Sequence, residues 1–456
     1  MTGVSAQYII IMKKIISAFL AFFLLLQTNL SAQALKAGIA KKIITPADPA
    51  WMNGYASPQR FSPAEGKDHD LWAKAIVLED ANNKRVIIVT TDVLGLSHEI
   101  SEDVGKKVRE KYGIDRSQLM LNSSHTHSGP MVWPSAGMFD YDTQHMIVVA
   151  AYAQKLTADL IEIIDNAITS LHPVKVSSGN GSAGFAKNRR DPNITIRPVD
   201  HDVPVMTISN EQNKLEAVLF GYACHNTTLG GDYMKINGDY AGYAQIELEN
   251  QYPGATALFF QGCAGDVNPE PRGKLEHAVQ HGKTLSTSVQ QVINGKMAPV
   301  NGLINSSYIE VPLEFRPFDL EQYQKEILSE NQYLQRRAKL MLNAYNKGWD
   351  VSKYQYPIQV IRFGKSLSIL ALAGETVVDY SLWSKKQYGK NGQIFVAGYS
   401  NEVMCYIPTK RILGEGGYEP DSSMIYYVMP GPFADDVEER IQEGIRKVMQ
   451  KVGISR

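Results

Sequence analysis

Short β-branched apolar runs alternate with amphipathic stretches of helical period along nearly the whole chain, and few folds accommodate that rhythm. The runs are Leu35 to Thr45, Leu71 to Leu78, Arg85 to Thr91 (RVIIVTT), Leu119 to His125, Leu215 to Cys224, Ala255 to Gln261 and Gln393 to Gly398, with a strand–turn–strand over Gln359 to Ala373. Helical spacing of apolar residues covers Glu99 to Tyr112, Thr143 to Ile168, Asp239 to Tyr252, Lys274 to Ile293, Asp319 to Tyr345 and Ala434 to Val452. Extended apolar runs bury in a sheet, and 3.6-period faces bury on its flanks. The expectation is an α/β fold, a single layered domain with a mixed β-sheet core flanked by helices. No Pro/Ser-rich linker divides residues 35–456, so they are taken as one domain.

With 456 residues, of which 44% are hydrophobic, the chain can bury a large core without staples. The net charge of −1 gives no reason to expect nucleic acid or an anionic membrane as partner. Residues 1–34 have the form of an export signal. Lys13 and Lys14 precede an apolar run from Ile15 to Leu26, and small residues follow at Ser31, Ala32 and Ala34. That run is too short for a comfortable transmembrane anchor. Met12, directly before the lysines, offers a second start site. The expected mature chain begins near Gln33 and works outside the cytoplasm, in the periplasm or secreted. Three cysteines, Cys224, Cys263 and Cys405, are an odd number without CxxC spacing. They are expected as small buried hydrophobes rather than disulfides or metal ligands.

Five short segments carry the chemistry. In NSSHTHSGP (Asn122 to Pro130), His125 and His127 lie two apart, so an extended backbone puts both imidazoles on one face. Two nitrogen donors at a rigid strand end are a good start for zinc, which takes three or four protein ligands. In YACHNTTLGG (Tyr222 to Gly231) another apolar run ends in His225. Alone this pattern fits a hydrogen-bonded structural histidine; beside the first it supplies a third nitrogen. QGCAGDVNPEPRG (Gln261 to Gly273) places Asp266 and Asn268 after a Gly/Ala turn, as site residues or as helix caps. ALAGETVVDY (Ala371 to Tyr380) sets Glu375 at a predicted helix start, where it can complement the dipole or bind a cation. GYSNEVMCYIPTKRILGEGGY (Gly398 to Tyr418) offers Tyr399, Tyr406 and Tyr418.

In this order the segments resemble the neutral/alkaline ceramidase family. GIAKKIITP, MNGYA, LWAKAIVLED, KNRR, INGDYAGYA, AGE and CYIPT extend the likeness over nearly the whole mature chain. The resemblance implies a zinc-dependent amidohydrolase that cuts an N-acyl bond by zinc-activated water, releasing sphingosine and fatty acid from ceramide. It implies Zn2+ as cofactor and a small amphiphilic or N-acylated substrate. It puts the metal ligands at His125, His225, Glu375 and Tyr406. It puts His127 beside the metal, Arg189 of KNRR near the scissile group, and Tyr418 in the site, twelve residues after Tyr406. Asp266 and Asn268 lie in the segment matching the family's GDVSP. Here that segment is GDVNP, and Asn268 cannot act as a nucleophile in place of the family's serine. NRR replaces NRS, and no segment corresponds to the C-terminal β-sandwich of longer members. These departures bear on the substrate, which is an N-acylated sugar or amino acid, or an ester, in the alternative reading; in a third, the protein binds metal without turnover. Trp133 and Met138 are possible pocket residues. His277 and His281, four apart on a predicted helix, are expected on a solvated face.

Overall fold

The structure, a computed structural model, describes residues 35–48, 50–132 and 143–455. The predicted export signal, Trp133 and Met138 lie outside the described residues. Among those described, no helix is long and apolar enough to cross a membrane.

The first part of the chain builds a nine-stranded sheet. Its strands begin with β1 (Leu35–Ile43), β2 (Trp72–Glu79), β3 (Arg85–Thr91), β4 (Leu119–Ser123) and β5 (His172–Ser182). A short strand, β6 (Ala186–Asn188), precedes β7 (Asp202–Ser209), β8 (Leu215–Tyr222) and β9 (Thr256–Gln261). Then come β10 (Val267–Pro269), which pairs with β6, and β11 (Ala298–Val300), which pairs with β5. The order across the sheet is β4-β3-β2-β1-β5-β7-β8-β9, with parallel pairs at both ends, β3–β4 and β8–β9. The sheet curls until its two edges meet. The Asn122 side chain on β4 accepts from the Gln261 amide at 2.8 Å and donates to the Gln261 carbonyl at 3.4 Å.

A second, four-stranded sheet follows, from β12 (Ile304–Glu314), β13 (Lys353–Phe363), β14 (Leu367–Leu372) and, beyond the two-residue β15 (Glu375–Thr376), β16 (Gln393–Ala397). The two sheets lie face to face, and strand alternation decides which side chains enter each layer. On β2, Ile76 and Leu78 point into the layer between the sheets, while Ala73, Ala75 and Val77 point the other way. On β14, Leu367, Ile369 and Ala371 face that middle layer, while Leu370 and Leu372 face outward. Helices α1 (His98–Tyr112), α2 (Thr143–Thr169), α3 (Asp239–Gln251) and α4 (Leu275–Ile293) cover the outer face of the large sheet. After the α5 (Leu320–Glu326) and α6 (Gln332–Lys347) hairpin, α7 (Val378–Tyr388), α8 (Lys410–Glu415) and α9 (Val437–Lys451) cover the small one. The predicted α/β layering with a mixed sheet is present, with a second sheet as an additional layer.

Three local expectations change. The helix expected over Asp319 to Tyr345 is two helices, because Asn331 caps a new start by accepting from the amides of Tyr333 and Leu334. His281 is buried rather than solvated, stacked on Phe185 with its Nε2 at 2.7 Å from the Pro271 carbonyl. The three cysteines are free and buried, as expected of small apolar residues.

Candidate metal centre

Strand β4 stops at Ser123, and the next residues leave the sheet by bonding to the end of β3. The amides of Ser124 and His125 donate to the carbonyls of Thr91 and Val93 at 2.8 and 3.0 Å. His125 then adopts the left-handed region, at φ +64°, a conformation costing a non-glycine residue roughly 1–2 kcal/mol. The two histidines therefore converge through a kink and not through the pleat of an extended strand; their Nε2 atoms lie 3.1 Å apart. Gly54, at φ +101°, closes the back of the His127 ring: a Cβ there would lie 2.6 Å from it.

His225 follows β8 in the same way, its amide donating to the Val267 carbonyl at 2.9 Å. Curling of the sheet brings the ends of β4 and β8 together. Asn226 ties them, donating to the Ser124 carbonyl and, at 3.0 Å, to the Gln261 side chain. Glu375 comes from the segment just after β14 of the second sheet. It begins the short parallel pair of β15 with β17 (Tyr406–Ile407), in which Glu375 and Tyr406 are direct partners. Backbone register thus sets these two side chains beside each other.

Four expected metal ligands are brought together, and all are buried. Glu375 Oε2 lies 2.9 Å from His225 Nε2 and 3.2 Å from His125 Nε2, and the Tyr406 hydroxyl is 3.3 Å from His225 Nε2. The nitrogens of His125, His127 and His225 also fall within 4.8 Å of one another, so His127 belongs to the cluster. The Nδ1 atoms of His125 and His225 sit 2.6 and 2.7 Å from the carbonyls of Leu94 and Ala264. A carbonyl only accepts, so both Nδ1 atoms carry the proton and both Nε2 lone pairs point inward. Burial, followed by the Arg189 charge, pushes the His225 imidazolium down to about 4. Burial and the neighbouring His125 and His225 push His127 down as well.

Two imidazole lone pairs and a carboxylate oxygen packed this closely repel unless a cation lies among them. Donors bound to one tetrahedral zinc sit roughly 3.3 Å apart, given metal–nitrogen distances of about 2.0–2.1 Å. The donor set therefore fits such an ion. The buried His127 Nδ1 has no hydrogen-bond partner among the described residues.

A cavity of about 550 Å³ opens beside the cluster, lined in part by His127, Arg189, Asn268, Tyr406 and Tyr418. Arg189 donates to Glu419 at 3.0 Å, the Gly265 carbonyl at 2.8 Å and Asn268 Oδ1 at 3.3 Å. Its guanidinium lies 5.4 Å from the ring centres of both Tyr406 and Tyr418. Asp266 is elsewhere: fully buried, it accepts from the Val378 amide and from Asn188, and so clamps the start of α7 to β6 behind the site. Sequence reasoning missed Glu419, Arg190 and Tyr427. Glu419 and Arg190 pair in the cavity wall, and the Tyr427 hydroxyl donates to Glu375 Oε1. Arg190 adjoined a recognised motif; the Tyr426–Tyr427 pair was the only signal for the last.

His98 supports the loop that carries Tyr399 to Tyr406, its Nδ1 2.6 Å from Glu402. That bond raises His98 to about 9, although burial opposes it. Burial lifts the Glu402 carboxyl, and His98 partly restores it. A raised histidine stabilises the fold fully below its unfolded value near 6.5, and the contribution fades as pH climbs through 9. His98→Ala should therefore cost about 1 kcal/mol at pH 6, after discounting for solvent screening of this exposed ring, and nothing near pH 10. Denaturant midpoints across pH test it; a pH-independent difference would contradict the ion pair.

The family model described as "Neutral/alkaline non-lysosomal ceramidase, N-terminal" matches residues 36–302. This chain belongs to the neutral/alkaline ceramidase family. Ceramidase relatives include the neutral ceramidase of Pseudomonas aeruginosa, 26% identical over 56% of this chain and 41% of that protein. Neutral ceramidase B of Dictyostelium discoideum is 25% identical over 48% of this chain and 33% of its own length. The chain thus spans less than half the length of these ceramidases in the matched regions. A solved structure of a ceramidase complexed with C2 shares the fold, with a TM-score of 0.73 and 19% identity, over 92% of this chain and 75% of that one. The crystal structure of the Pseudomonas neutral ceramidase aligns equally well, over 93% and 75%.

Proposed function

We propose that the protein is a zinc-dependent hydrolase that cleaves an N-acyl amide bond, with the ceramide acted on by its namesake relatives as the first candidate substrate. The observation that carries this reading is the convergence of two imidazole Nε2 atoms and the Glu375 carboxylate, with Tyr406 beside them, at the wall of a cavity. In such a set zinc supplies a Lewis acid and lowers the pKa of water to about 7. The protein's own groups supply the rest. Arg189 presents fixed positive charge where an oxyanion develops. His127 and Tyr418 line the cavity and can hold or deliver the proton that the leaving amine needs. Asn268 accepts from Arg189 at 3.3 Å and from Thr227 at 3.4 Å, and its amide group orients substrate or water. No covalent serine step is required.

A second reading keeps this chemistry and changes the substrate to a polar N-acylated molecule, a sugar or amino acid derivative. The cavity wall favours it, since Arg190, Asp191, Glu415 and Glu419 interrupt any continuous apolar groove. The test is hydrolysis of a fluorescent ceramide, N-acyl amino acids, N-acetylated sugars and a simple ester, with chelator and with zinc restored. Chelator-sensitive ceramide cleavage supports the first reading, and cleavage of another member alone supports the second. Stoichiometric zinc with silence across the panel would favour a metal-containing binding protein. The export-like pattern of residues 1–34 supports a place of action outside the cytoplasm.

A further inference from the structure

Glu375 uses its two carboxylate oxygens differently, and a tyrosine outside every recognised motif accounts for the difference. Oε2 faces His125 and His225, while Oε1 accepts the hydroxyl of Tyr427. The Glu375 backbone is pinned by its amide bond to the Cys405 carbonyl at 2.8 Å and by its register with Tyr406. Backbone pinning leaves the side-chain torsions to be set by side-chain partners, the last of them a broad two-fold rotation about the carboxylate bond. Among the described residues, Tyr427 supplies the hydrogen bond to Oε1. Phenol is far less acidic than a carboxylic acid, so the hydroxyl donates and the carboxylate accepts.

The segment presenting Tyr427 is held from behind. The Met429 amide donates to the Met424 carbonyl at 3.0 Å, and Tyr323 of α5 bonds the Pro430 carbonyl. Val428 packs on the cluster of Tyr323, Ala338 and Met341, and the Tyr426 ring meets Tyr333 of α6 at 5.0 Å. Val428 is left-handed at φ +57°, which a β-branched residue adopts only when its surroundings impose it. A buried pair, Arg337 and Glu326, locks α6 to α5. The α5–α6 hairpin is thus the buttress of a strap over the site.

We propose that Tyr427 is a positioning residue of the metal centre: its hydroxyl holds the Glu375 carboxylate with Oε2 toward the histidines and so sets metal affinity and ligand geometry. The inference rests on the metal reading above. Its test compares wild type with Tyr427→Phe, which keeps the ring packing near Tyr406, and with Tyr345→Phe on the exposed face of α6. Zn2+ affinity is read by competition with a chromogenic chelator, and ligand geometry by the visible spectrum of the Co2+-loaded proteins. Tyr427→Phe should bind Zn2+ 10–100-fold more weakly, the usual effect of losing such an outer partner, and should show an altered Co2+ spectrum. Tyr345→Phe should match wild type in both. Affinity within twofold of wild type together with an unchanged Co2+ spectrum would overturn the role of Tyr427 and leave the metal reading intact. A wild type that takes up neither metal would overturn both.

Discussion

A His225→Ala variant should retain no stoichiometric metal after dialysis and should lose all metal-dependent turnover. His225 Nε2 is one of two imidazole nitrogens facing Glu375 Oε2, and the Ala264 carbonyl fixes its tautomer. Removing it deletes a donor, so the loss should exceed the 10–100-fold that follows removal of an outer partner. The cavity left behind is polar and can admit water, which limits damage to the fold. Metal content by atomic absorption and hydrolysis of the substrate panel are the measurements. Full activity with bound zinc would refute the ligand assignment.

Arg190→Met should have the largest effect on stability. Arg190 is buried and donates to Glu419 at 2.6 Å, Glu415 at 3.0 Å and the Gly416 carbonyl at 2.8 Å. Glu419 is equally buried and also pairs with Arg189 at 3.0 Å. Stranding a buried charge costs about 3–5 kcal/mol; here Glu419 keeps Arg189 and Glu415 keeps Arg411, so the loss should fall toward the lower end of that range. The segment from Glu415 to Glu419 carries Tyr418 over the cavity, so turnover should fall in parallel. Urea denaturation is the check. An unchanged midpoint would mean that the network contributes nothing, in conflict with its burial.

Much of the fold was legible because its signals are local. Arg85 to Thr91 has no polar interruption, and the strand occupies those residues. The helix expected from Thr143 to Ile168 runs Thr143–Thr169. Strands β5 and β12 escaped because HPVKVSSGNGS and INSSYIEVPLE carry Ser, Asn, Gly, Pro and Glu, which read as loop. Their place in the sheets comes from long-range pairing, β5 with β1 and β7, and β12 with β13.

The site divides along the same line. HTH, ACHN, AGE and CYIPT are local strings: spacing nominated His125 and His225 and left Glu375 as a possible cation ligand, and the resemblance completed the set with Tyr406. The kink at His125, the burial of Asp266 behind the cavity and the grip of Tyr427 on Glu375 depend on segments far apart in the chain. Residue types and the layered α/β class are properties of short-range pattern, and sequence by itself determined them. Curling of the sheet until Asn122 meets Gln261, and the convergence of two sheets' loops on one carboxylate, were decided by tertiary structure alone. Such contacts join residues more than a hundred positions apart, and no local periodicity records which distant edges will meet.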